Sequence, residues 1–442
     1  MFRLLPLLLL VILFSCHSSR NEDVRPNVIL IMADDMGYEC LGSYGGLSYP
    51  TPHLDSLAAH GLRISHCISQ PLCTPSRVKI MTGQSNLDNY EAFGYLGDRE
   101  HTIGHLMEEA GYATGIVGKW QLNGLAYKDR FPNWQDSLRP QSFGFQESCL
   151  WQLTHLRREG ERYAFPLIQE NGEVLNRKKV HYGPDVFADF AVDFIDRHAH
   201  EPFFLYYPMV LVHDPFVPTP TSQNWDDKSL RYQKDISYFR EMVSYTDQIV
   251  GQIIEELKRQ DLFDNTILIF TGDNGTHPSI TSQTTHGPVK GGKGCMTDAG
   301  TRVPLIISWP VHLTNETVWE GLISFADFYP TLAELVQAAS DAQGMSFLPL
   351  LQNKDFQGRK SLMVHYDPRW SESVNQYRGT FIRNLQYKCY ADGRFYDLEQ
   401  DVLEEQPIDP LKLNAEQEAI FRTFQEGFSQ LKHSPNRVTS PN

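Results

Sequence analysis

The hydrophobic positions of this chain fall into continuous apolar runs, separated by segments with helical spacing. Five runs rich in β-branched and aromatic residues predict strands at 27–33, 113–118, 203–212, 266–272 and 303–308. Apolar runs without polar alternation are typical of strands buried on both faces of a sheet. The clearest helix is predicted over 235–260, where apolar residues from Ile236 to Leu257 recur every three or four positions. This alternation indicates an α/β domain with a largely parallel or mixed sheet.

The pattern changes after the turn-rich residues 340–358. Short apolar segments between 361 and 398, such as "SLMVHY" and "GTFIRN", predict a small antiparallel sheet. A last helix is predicted over 414–432, and its apolar face is expected to pack on that sheet; the face consists of Ile420, Phe421, Phe424, Phe428 and Leu431. We therefore divide the chain into a signal segment (1–16), a large domain (24–345) and a C-terminal subdomain (346–442).

The N-terminal residues resemble an export signal. Arg3 precedes an apolar run from Leu4 to Phe14, which is too short to span a bilayer. The run ends in "LFSC", which is similar to the cleavage box of bacterial lipoproteins and makes Cys16 a candidate for lipidation. The alternative is a plain signal peptide cut near Ser18. Either way, the mature protein is expected outside the cytoplasm, in the periplasm or on the outer membrane as a lipoprotein, or otherwise secreted.

Composition limits the classes of partner. The 442 residues carry a formal net charge of −15 and no basic tail, which argues against nucleic acid. Any anionic ligand must therefore be held by a local cluster of cations. Apart from Cys16 and Cys73, five cysteines remain, without a CxxC motif; a zinc ribbon is excluded, and at most two disulfides can form.

Polar residues follow several of the predicted strands where each strand ends. Asp34 and Asp35 follow the first strand, Asp273 and Asn274 follow the strand at 266–272, and further along the same edge we expect Lys119 and His213. In open α/β sheets, ligands bind at the carboxyl ends of the strands. The acidic and amide side chains offer only oxygen ligands, which suit Ca²⁺ or Mg²⁺ better than zinc.

Three cations complete this predicted site. Arg77 follows Cys73 by four residues, Lys119 ends its strand, and Lys293 lies in the glycine-rich "KGGKG" segment. With three carboxylates and a divalent metal, they would give the site a net positive charge. An acidic protein would thus keep one cationic pocket, which suits a tetrahedral oxyanion.

"CTPSRVKIMTG" (73–83) resembles the signature of the type I sulfatases, C-x-P-S-R followed by an apolar run and Thr-Gly. Other segments are similar to the family's remaining blocks and stand in the family's order: "PNVILIMADDMG", "GKW", "VHDPFVP", "IFTGDNG" and "HGPVKGGKGCMTDAGTRVP". The resemblance covers roughly residues 26–340, and "GRFYDLEQD" fits the family's small C-terminal subdomain. It implies an alkaline phosphatase-like fold, with a mixed sheet flanked by helices, and the hydrolysis of a sulfate monoester.

The resemblance also implies the nucleophile and the cofactors. Cys73 would be oxidised to formylglycine (3-oxoalanine) by a sulfatase-maturing enzyme, and one hydroxyl of the hydrated aldehyde would attack sulfur. The second hydroxyl would then expel sulfate by restoring the aldehyde, so that covalent catalysis divides the reaction into two steps. One Ca²⁺ per chain would be held by the oxidised Cys73 together with Asp34, Asp35, Asp273 and Asn274.

Further roles follow from the same resemblance. Arg77 would orient the hydrated aldehyde, Lys119 and Lys293 would bind sulfate oxygens, and His213 would protonate the departing alcohol. The family usually reads G-K-W-H-L where this chain has "GKWQL", so Gln121 replaces a histidine. Gln121 can hydrogen-bond to substrate but cannot take up a proton near neutral pH.

The substrate is expected to be a sulfated carbohydrate, and the membrane is a partner only through a lipid anchor. Trp134, Trp151 and Trp370 are candidates for stacking on a sugar ring, with packing inside loops as the equal alternative. Two other functions remain open. One is a phosphodiester or phosphonate ester hydrolase of the same superfamily; the other is a weakly active, lipid-anchored protein that binds glycans.

Overall fold

The computed structural model describes residues 25–155, 162–176 and 181–432; the predicted signal segment and Cys16 lie outside them. The strands, in chain order, are β1 (Asn27–Ala33), β2 (Leu62–Ile68), β3 (Ala113–Lys119), β4 (Glu147–Trp151), β5 (Ile168–Glu170), β6 (Glu173–Val174), β7 (Phe203–Pro208), β8 (Thr266–Gly272), β9 (Thr281–Thr284), β10 (Gly287–Lys290), β11 (Arg302–Val303), β12 (Leu305–Ser308), β13 (Thr317–Ser324), β14 (Leu362–Tyr366), β15 (Gly379–Arg383), β16 (Tyr387–Tyr390) and β17 (Phe395–Asp397).

The helices are α1 (Pro52–Ala59), α2 (Cys73–Thr82), α3 (Asn86–Asn89), α4 (Ile103–Glu109), α5 (Gly183–Arg197), α6 (Tyr238–Arg259), α7 (Asp298–Thr301), α8 (Phe328–Leu335), α9 (Leu348–Leu351), α10 (Glu372–Asn375) and α11 (Ala415–Lys432). None of them is long and apolar enough to cross a membrane.

The large sheet is mixed, as the apolar runs predict. Its strands lie in the order β11-β2-β12-β8-β1-β7-β3-β4-β5-β6, and β13 pairs with β2. The central strands β8, β1, β7, β3 and β4 are parallel to one another, whereas β12 runs antiparallel to β8 and β5 runs antiparallel to β4. The carboxyl ends of the parallel strands therefore meet at one edge of the sheet.

Strand β1 shows why its sequence is apolar at every position after Asn27. Ile29 and Ile31 face one buried core, to which α1, α5 and α6 contribute, while Leu30 and Met32 face a second core, to which α2, α4 and α8 contribute. Successive side chains of a strand point to opposite faces, so helices on both sides require apolar residues throughout.

Three predicted elements differ from the structure at their ends. The run at 203–212 leaves the strand after Pro208, although the N–H of Val212 still donates to the carbonyl of Asp34. The helix predicted from 235 begins at Tyr238, and Ile236 is exposed. Pro304 separates β11 from β12 within the run predicted at 303–308. A proline lacks the N–H that a strand ladder needs, which explains this break.

The small C-terminal sheet is confirmed as four antiparallel strands in the order β14-β15-β16-β17. Phe424 and Phe428 of α11 pack on one face, against residues such as Ile382 and Phe395. The opposite face contributes Tyr366 and its neighbours to a core that also contains Cys73. The small sheet therefore supports the segment that carries the predicted nucleophile. No disulfide joins cysteines of the described residues.

Candidate active site

The ends of neighbouring strands bring the predicted polar residues together. Asp34 and Asp35 follow β1, and Asp273 and Asn274 follow β8, which pairs with β1 along its full length. All four are fully buried. A side chain at Gly272 would collide with the carbonyl oxygen of Met36, so the glycine permits the close approach of the two acidic loops.

The carboxylates form a tight group of oxygen ligands. Ligand atoms of Asp34, Cys73 and Asp273 lie within 4.8 Å of one another, and so do those of Asp34, Asp35 and His213. The amide nitrogen of Asn274 donates to Asp35 Oδ1 at 2.9 Å. The Asn274 Oδ1 atom is buried and accepts no hydrogen bond from the described residues.

The electrostatics of this group favour an additional cation. Burial and the neighbouring carboxylate of Asp34 raise the pKa of Asp273, so its negative charge is unfavourable with the protein groups alone. A hard divalent cation among the oxygens would offset that repulsion and satisfy the free oxygen of Asn274. The residues therefore fit the Ca²⁺ ion that the sequence resemblance implies.

Cys73 is the first residue of helix α2, whose ten residues are all buried. Arg77 lies one turn later on the same helix; residues four apart share a helix face. The helix N-terminus favours negative charge. Burial and the carboxylates of Asp34 and Asp273 raise the pKa of the Cys73 thiol. An unmodified Cys73 would thus be mostly neutral and a weak nucleophile.

Arg77 and Lys119 are fixed by the acidic residues. Arg77 Nη2 donates to Asp273 Oδ2 at 3.1 Å, and its Nη1 donates to the carbonyl of Lys119 at 2.8 Å. Lys119 Nζ lies 2.8 Å from Asp34 Oδ2. Burial alone would raise the pKa of Asp34, but Lys119 and Arg77 lower it below its ordinary value. These contacts hold both cations beside the nucleophile.

Lys293 and His213 form a second pair at the same edge. Lys293 Nζ lies 2.6 Å from Asp35 Oδ2 and 2.9 Å from His213 Nε2. The other ring nitrogen, Nδ1, lies 2.7 Å from the carbonyl and 2.9 Å from the carboxylate of Asp214. Burial and the cations Arg162 and Lys293 lower the pKa of His213 well below its ordinary value. The His213 ring is therefore neutral: its Nδ1–H donates to Asp214, and its Nε2 accepts a hydrogen bond from Lys293.

Arg162 is a fourth cation at this site that the sequence reasoning missed. Its side chain is 3% exposed, and its guanidinium lies 4.7 Å from the centre of the Trp151 ring. Nη1 donates to the carbonyl of Asp214 at 3.0 Å, whereas Nε has no partner among the described residues. Burial would lower the pKa of Arg162, but the opposite charges of Asp34, Asp214 and Asp35 raise it. The one signal for this segment in the sequence is its composition, because residues 120–182 are rich in aromatic and charged side chains.

The three tryptophans predicted as candidates for stacking on a sugar ring differ in their exposure to solvent. Trp151 is buried at 1% exposure, so it belongs to the core and not to an open surface. Trp134 is half-buried under Lys128, whose Nζ lies 4.0 Å from the ring centre. Trp370 is 47% exposed and stacks on Phe93 with ring centres 4.1 Å apart. Beside it, Gln121 Oε1 lies 3.9 Å from Cys73 Sγ.

The arrangement suits transfer of a tetrahedral, multiply charged oxyanion. One reactive side chain stands at a helix N-terminus, with three carboxylates on one side and four cations around them. Positive groups held in a buried site stabilise developing negative charge without having to reorganise. A proton relay, Lys293–His213–Asp214, lies within hydrogen-bonding distance of the acidic group.

Comparison with known proteins agrees with this geometry. The family model for sulfatases matches residues 26–338, and a model for the C-terminal part of N-sulphoglucosamine sulphohydrolase matches residues 292–433. The chain is 30% identical to human N-acetylgalactosamine-6-sulfatase over 80% of its own length and 71% of that protein. It is 28% identical to the N-acetylgalactosamine-6-O-sulfatase of Bacteroides thetaiotaomicron, over 82% of its own length and 84% of that protein.

Among solved structures, one determined in complex with its substrate D-glucosamine-2-N,6-O-disulfate superposes with a TM-score of 0.74. The two chains are 21% identical, and the match covers 94% of this chain and 100% of the other. At that identity the likeness establishes the shared fold alone.

Proposed function

The chain belongs to the sulfatase family, and we propose that it releases sulfate from a sulfated sugar with an oxidised Cys73 as nucleophile and one Ca²⁺ at the carboxylates. Sulfatases hydrolyse sulfate esters, so water and the ester give an alcohol and sulfate. The observation that carries the proposal is the position of Cys73: its Sγ lies at the N-terminus of α2 among the ligand atoms of Asp34 and Asp273.

Two groups from outside the encoded side chains belong to this proposal. A formylglycine at position 73, made by a separate maturing enzyme, would supply a hydroxyl of its hydrated aldehyde as nucleophile, and Ca²⁺ would supply positive charge next to that hydroxyl and to the sulfate. The ion would be held by residue 73 and by Asp34, Asp35, Asp273 and Asn274, the donor set with the free Asn274 oxygen.

The cations of the chain bind and orient the ester. Lys119 is paired with Asp34 and Lys293 with Asp35, and each can turn a proton of its ammonium toward a sulfate oxygen. Arg77 keeps residue 73 in place, because both its Nη atoms are held by neighbours. Together with burial, the positive charge of Arg162 lowers the pKa of His213.

The proton for the departing alcohol is assigned to the pair of His213 and Lys293. Their nitrogens lie 2.9 Å apart and can share one proton. The contact of Nδ1 with Asp214 keeps the ring in one orientation, as a hydrogen-bond partner does for a general acid or base. In this arrangement a proton passes from Lys293 Nζ to His213 Nε2, and Nε2 then donates it to the oxygen of the departing alcohol, which leaves Lys293 neutral.

A sulfated carbohydrate is the substrate class we propose. Relatives named for N-acetylgalactosamine 6-sulfate support it, together with the export-like segment before residue 24, which is consistent with work outside the cytoplasm. Anchoring through Cys16 stays a prediction. Its test is release of the native protein from membranes after Cys16→Ser.

Initial rates on a sulfate monoester and on a phosphate diester test the reaction. The protein should be made in a host that contains a maturing enzyme, and we expect the sulfate ester to react faster. A faster rate on the diester would instead support the phosphodiesterase or phosphonate hydrolase alternative.

Mass spectrometry of the tryptic peptide 64–77 tests the nucleophile and has an internal control, because the peptide contains Cys67 as well as Cys73. We expect an aldehyde at 73 and a thiol at 67; a thiol at both positions in fully active protein would refute the mechanism.

A further inference from the structure

A cavity of about 180 Å³ opens beside Cys73. Its lining consists of two amides, two aromatic rings, two aliphatic side chains and Gly94; the side chains are those of Gln121, Gln152, Phe93, Trp370, Leu125 and Ala126. Gln121 reaches toward the nucleophile, with Oε1 3.9 Å from Cys73 Sγ, and the N–H of Gly94 donates to Thr74 Oγ1 at 3.1 Å. The cavity is therefore attached to the catalytic helix.

The two amides come from neighbouring strand ends. Lys119 of β3 pairs with Trp151 of β4 at the strand ends; Gln121 follows two residues after Lys119, and Gln152 follows one residue after Trp151. Both have a left-handed backbone, with φ of 53° and 57°. Glutamine rarely adopts this conformation, and such strain collects where a side chain must be aimed at a ligand.

Gln152 presents an unused acceptor. Its Oε1 atom is buried and finds no hydrogen-bond donor in the described part of the chain. Buried polar atoms in folded proteins are nearly always paired, so an unpaired amide oxygen on a side chain that lines the cavity points to a donor supplied by a ligand. A sugar hydroxyl or an acetamido N–H is such a donor.

The opposite wall is flat and apolar. Trp370 and Phe93 stack with an interplanar angle of 6°, and about half of the Trp370 surface is exposed. The backbone N–H of Trp370 donates to Asn375 Oδ1 at 3.0 Å, and Tyr127 Oη donates to the backbone carbonyl of Arg369 at 3.1 Å. These bonds fix the backbone of the segment, and stacking on Phe93 orients the ring as a platform, which suits the apolar C–H face of a pyranose.

None of the described residues that line the cavity is ionisable. An anionic substituent placed there would lose its hydration without gaining a charged partner, which is costly. We propose that this cavity binds the sugar ring that bears the sulfate, that Gln152 accepts a hydrogen bond from that ring, and that the ring carries no charge other than the sulfate ester. The inference rests on the proposed sulfatase function and names the class of sugar.

Substitution of Gln152 by a side chain of equal length without the amide tests the contact. For Gln152→Met, the ratio of kcat/KM on a neutral sulfated monosaccharide to kcat/KM on an aryl sulfate should fall about tenfold. Gln337→Met is the matched control, because Gln337 is exposed and has a similar φ of 58°; its ratio should not change.

Substitution of Trp370 tests the aromatic wall. For Trp370→Ala, KM for the sugar should rise about tenfold. The control Tyr377→Ala, at a residue of similar exposure, should leave that KM unchanged.

A second comparison tests the charge of the ring with the wild-type enzyme. N-acetylglucosamine 6-sulfate and D-glucosamine-2-N,6-O-disulfate differ only in the group on nitrogen, and we expect the acetylated sugar to react at least about tenfold faster. Other pairs of neutral and doubly charged sugars extend the test if neither 6-sulfate reacts.

The outcomes separate the two proposals. If aryl sulfate reacts and no sugar does, if Gln152→Met leaves the ratio unchanged, or if the doubly charged sugars are preferred, the inference is wrong while the sulfatase function stands. If no sulfate ester reacts at all, the proposed function fails and the inference fails with it.

Discussion

Two buried groups of charges in this protein differ in whether they are complete. The active-site cluster contains Asp34, Asp35 and Asp273 with Arg77, Lys119 and Lys293. A second group, here called the junction cluster, joins the large domain to the small sheet and consists of Asp298, Arg383, Lys388 and Glu404. Arg383 Nη1 lies 2.8 and 2.7 Å from the two oxygens of Asp298, and Lys388 Nζ lies 2.8 Å from Glu404 Oε1.

The difference appears in the pKa directions and in the unpaired atoms. Burial would raise the pKa of Asp298, but Arg383 and Lys388 lower it far below its ordinary value. In the active site, burial and Asp34 raise the pKa of Asp273, and Asn274 Oδ1 accepts no hydrogen bond within the described ranges. The junction cluster balances two acids with two bases. The active-site cluster, by contrast, has room for the metal ion and the substrate that we propose.

Loss of the nucleophile should have the largest effect and should separate activity from stability. We expect Cys73→Ala to lower turnover of a sulfate ester by about 10⁴-fold or more, because no other group in the cluster can replace residue 73. The free energy of unfolding, measured in urea, should change by only about 1 kcal/mol, since only the functional group of one small buried side chain is lost. Cys295→Ala, a half-buried cysteine outside the cluster, is the control and should keep its activity. Activity retained by Cys73→Ala would contradict the assignment.

A change in the junction cluster should have the opposite pattern, with a larger effect on stability than on activity. Lys388→Met leaves Glu404 buried without its cation and should lower the free energy of unfolding by about 3–5 kcal/mol. Lys412→Met removes a lysine that is 81% exposed and pairs with Asp409, so it should change stability by less than about 1 kcal/mol.

The double variant Lys388→Met/Glu404→Gln removes both charges and should recover part of the loss in urea unfolding. If the single variant were as stable as wild type, the junction cluster would not hold the two parts together as described.

Removal of the metal should have an intermediate effect on stability and should affect only the active-site cluster. Chelation should cut activity and lower the free energy of unfolding by about 2.7 kcal/mol, the amount expected for loss of an ion present at about 100 times its dissociation constant. Ca²⁺ should restore both better than Zn²⁺, because the ligands are oxygen atoms.

The variant Asp273→Asn provides the control for chelation. Its stability should respond less to the chelator than that of wild type. Full activity of metal-stripped wild-type protein would refute the metal site.

The smallest expected effect is a pH dependence from Asp298. Its pKa is lower in the folded protein than the ordinary value of 3.8, so its contribution to stability is fully present above that value and is lost as the pH falls toward the folded pKa. The stability difference between wild type and Asp298→Asn should therefore shrink by about 1 kcal/mol between pH 7 and pH 3. Urea midpoints at both pH values measure it, with Asp392→Asn, an exposed pair with Arg394, as control. A difference that grows on acidification would contradict the sign.

Much of the sheet could be predicted because local pattern and tertiary environment agree there. The runs that became β1, β3 and β8 are buried along their whole length and mostly apolar, as strands between two helical layers are. Strands β2 and β13 escaped detection because their residues mix with polar ones; the burial of β13 varies along its length. A half-exposed strand carries a weaker apolar signal than a covered one.

The candidate site could be predicted to the extent that its residues follow strand ends. Asp34, Asp273 and Lys119 were found that way, and Cys73 and Lys293 through motifs. Arg162 and Gln152 could not be found, because nothing in their neighbouring residues distinguishes them from surface side chains. Their roles depend on where the chain folds back, next to Asp214 for one and beside Gln121 for the other.

By itself the sequence determined the class of fold, the set of chemical groups and their order along the chain. Apolar periodicity and the residues after each strand are local properties, so the amino-acid sequence contains them in full. Only the tertiary structure decided which charges pair with each other and which remain available. Asp298 and Asp273 look alike in sequence, each a single acid near a glycine, yet Asp298 meets two cations, whereas Asp273 meets a second carboxylate as well as Arg77. Pairing depends on distances between segments remote in the chain, and those are set by packing.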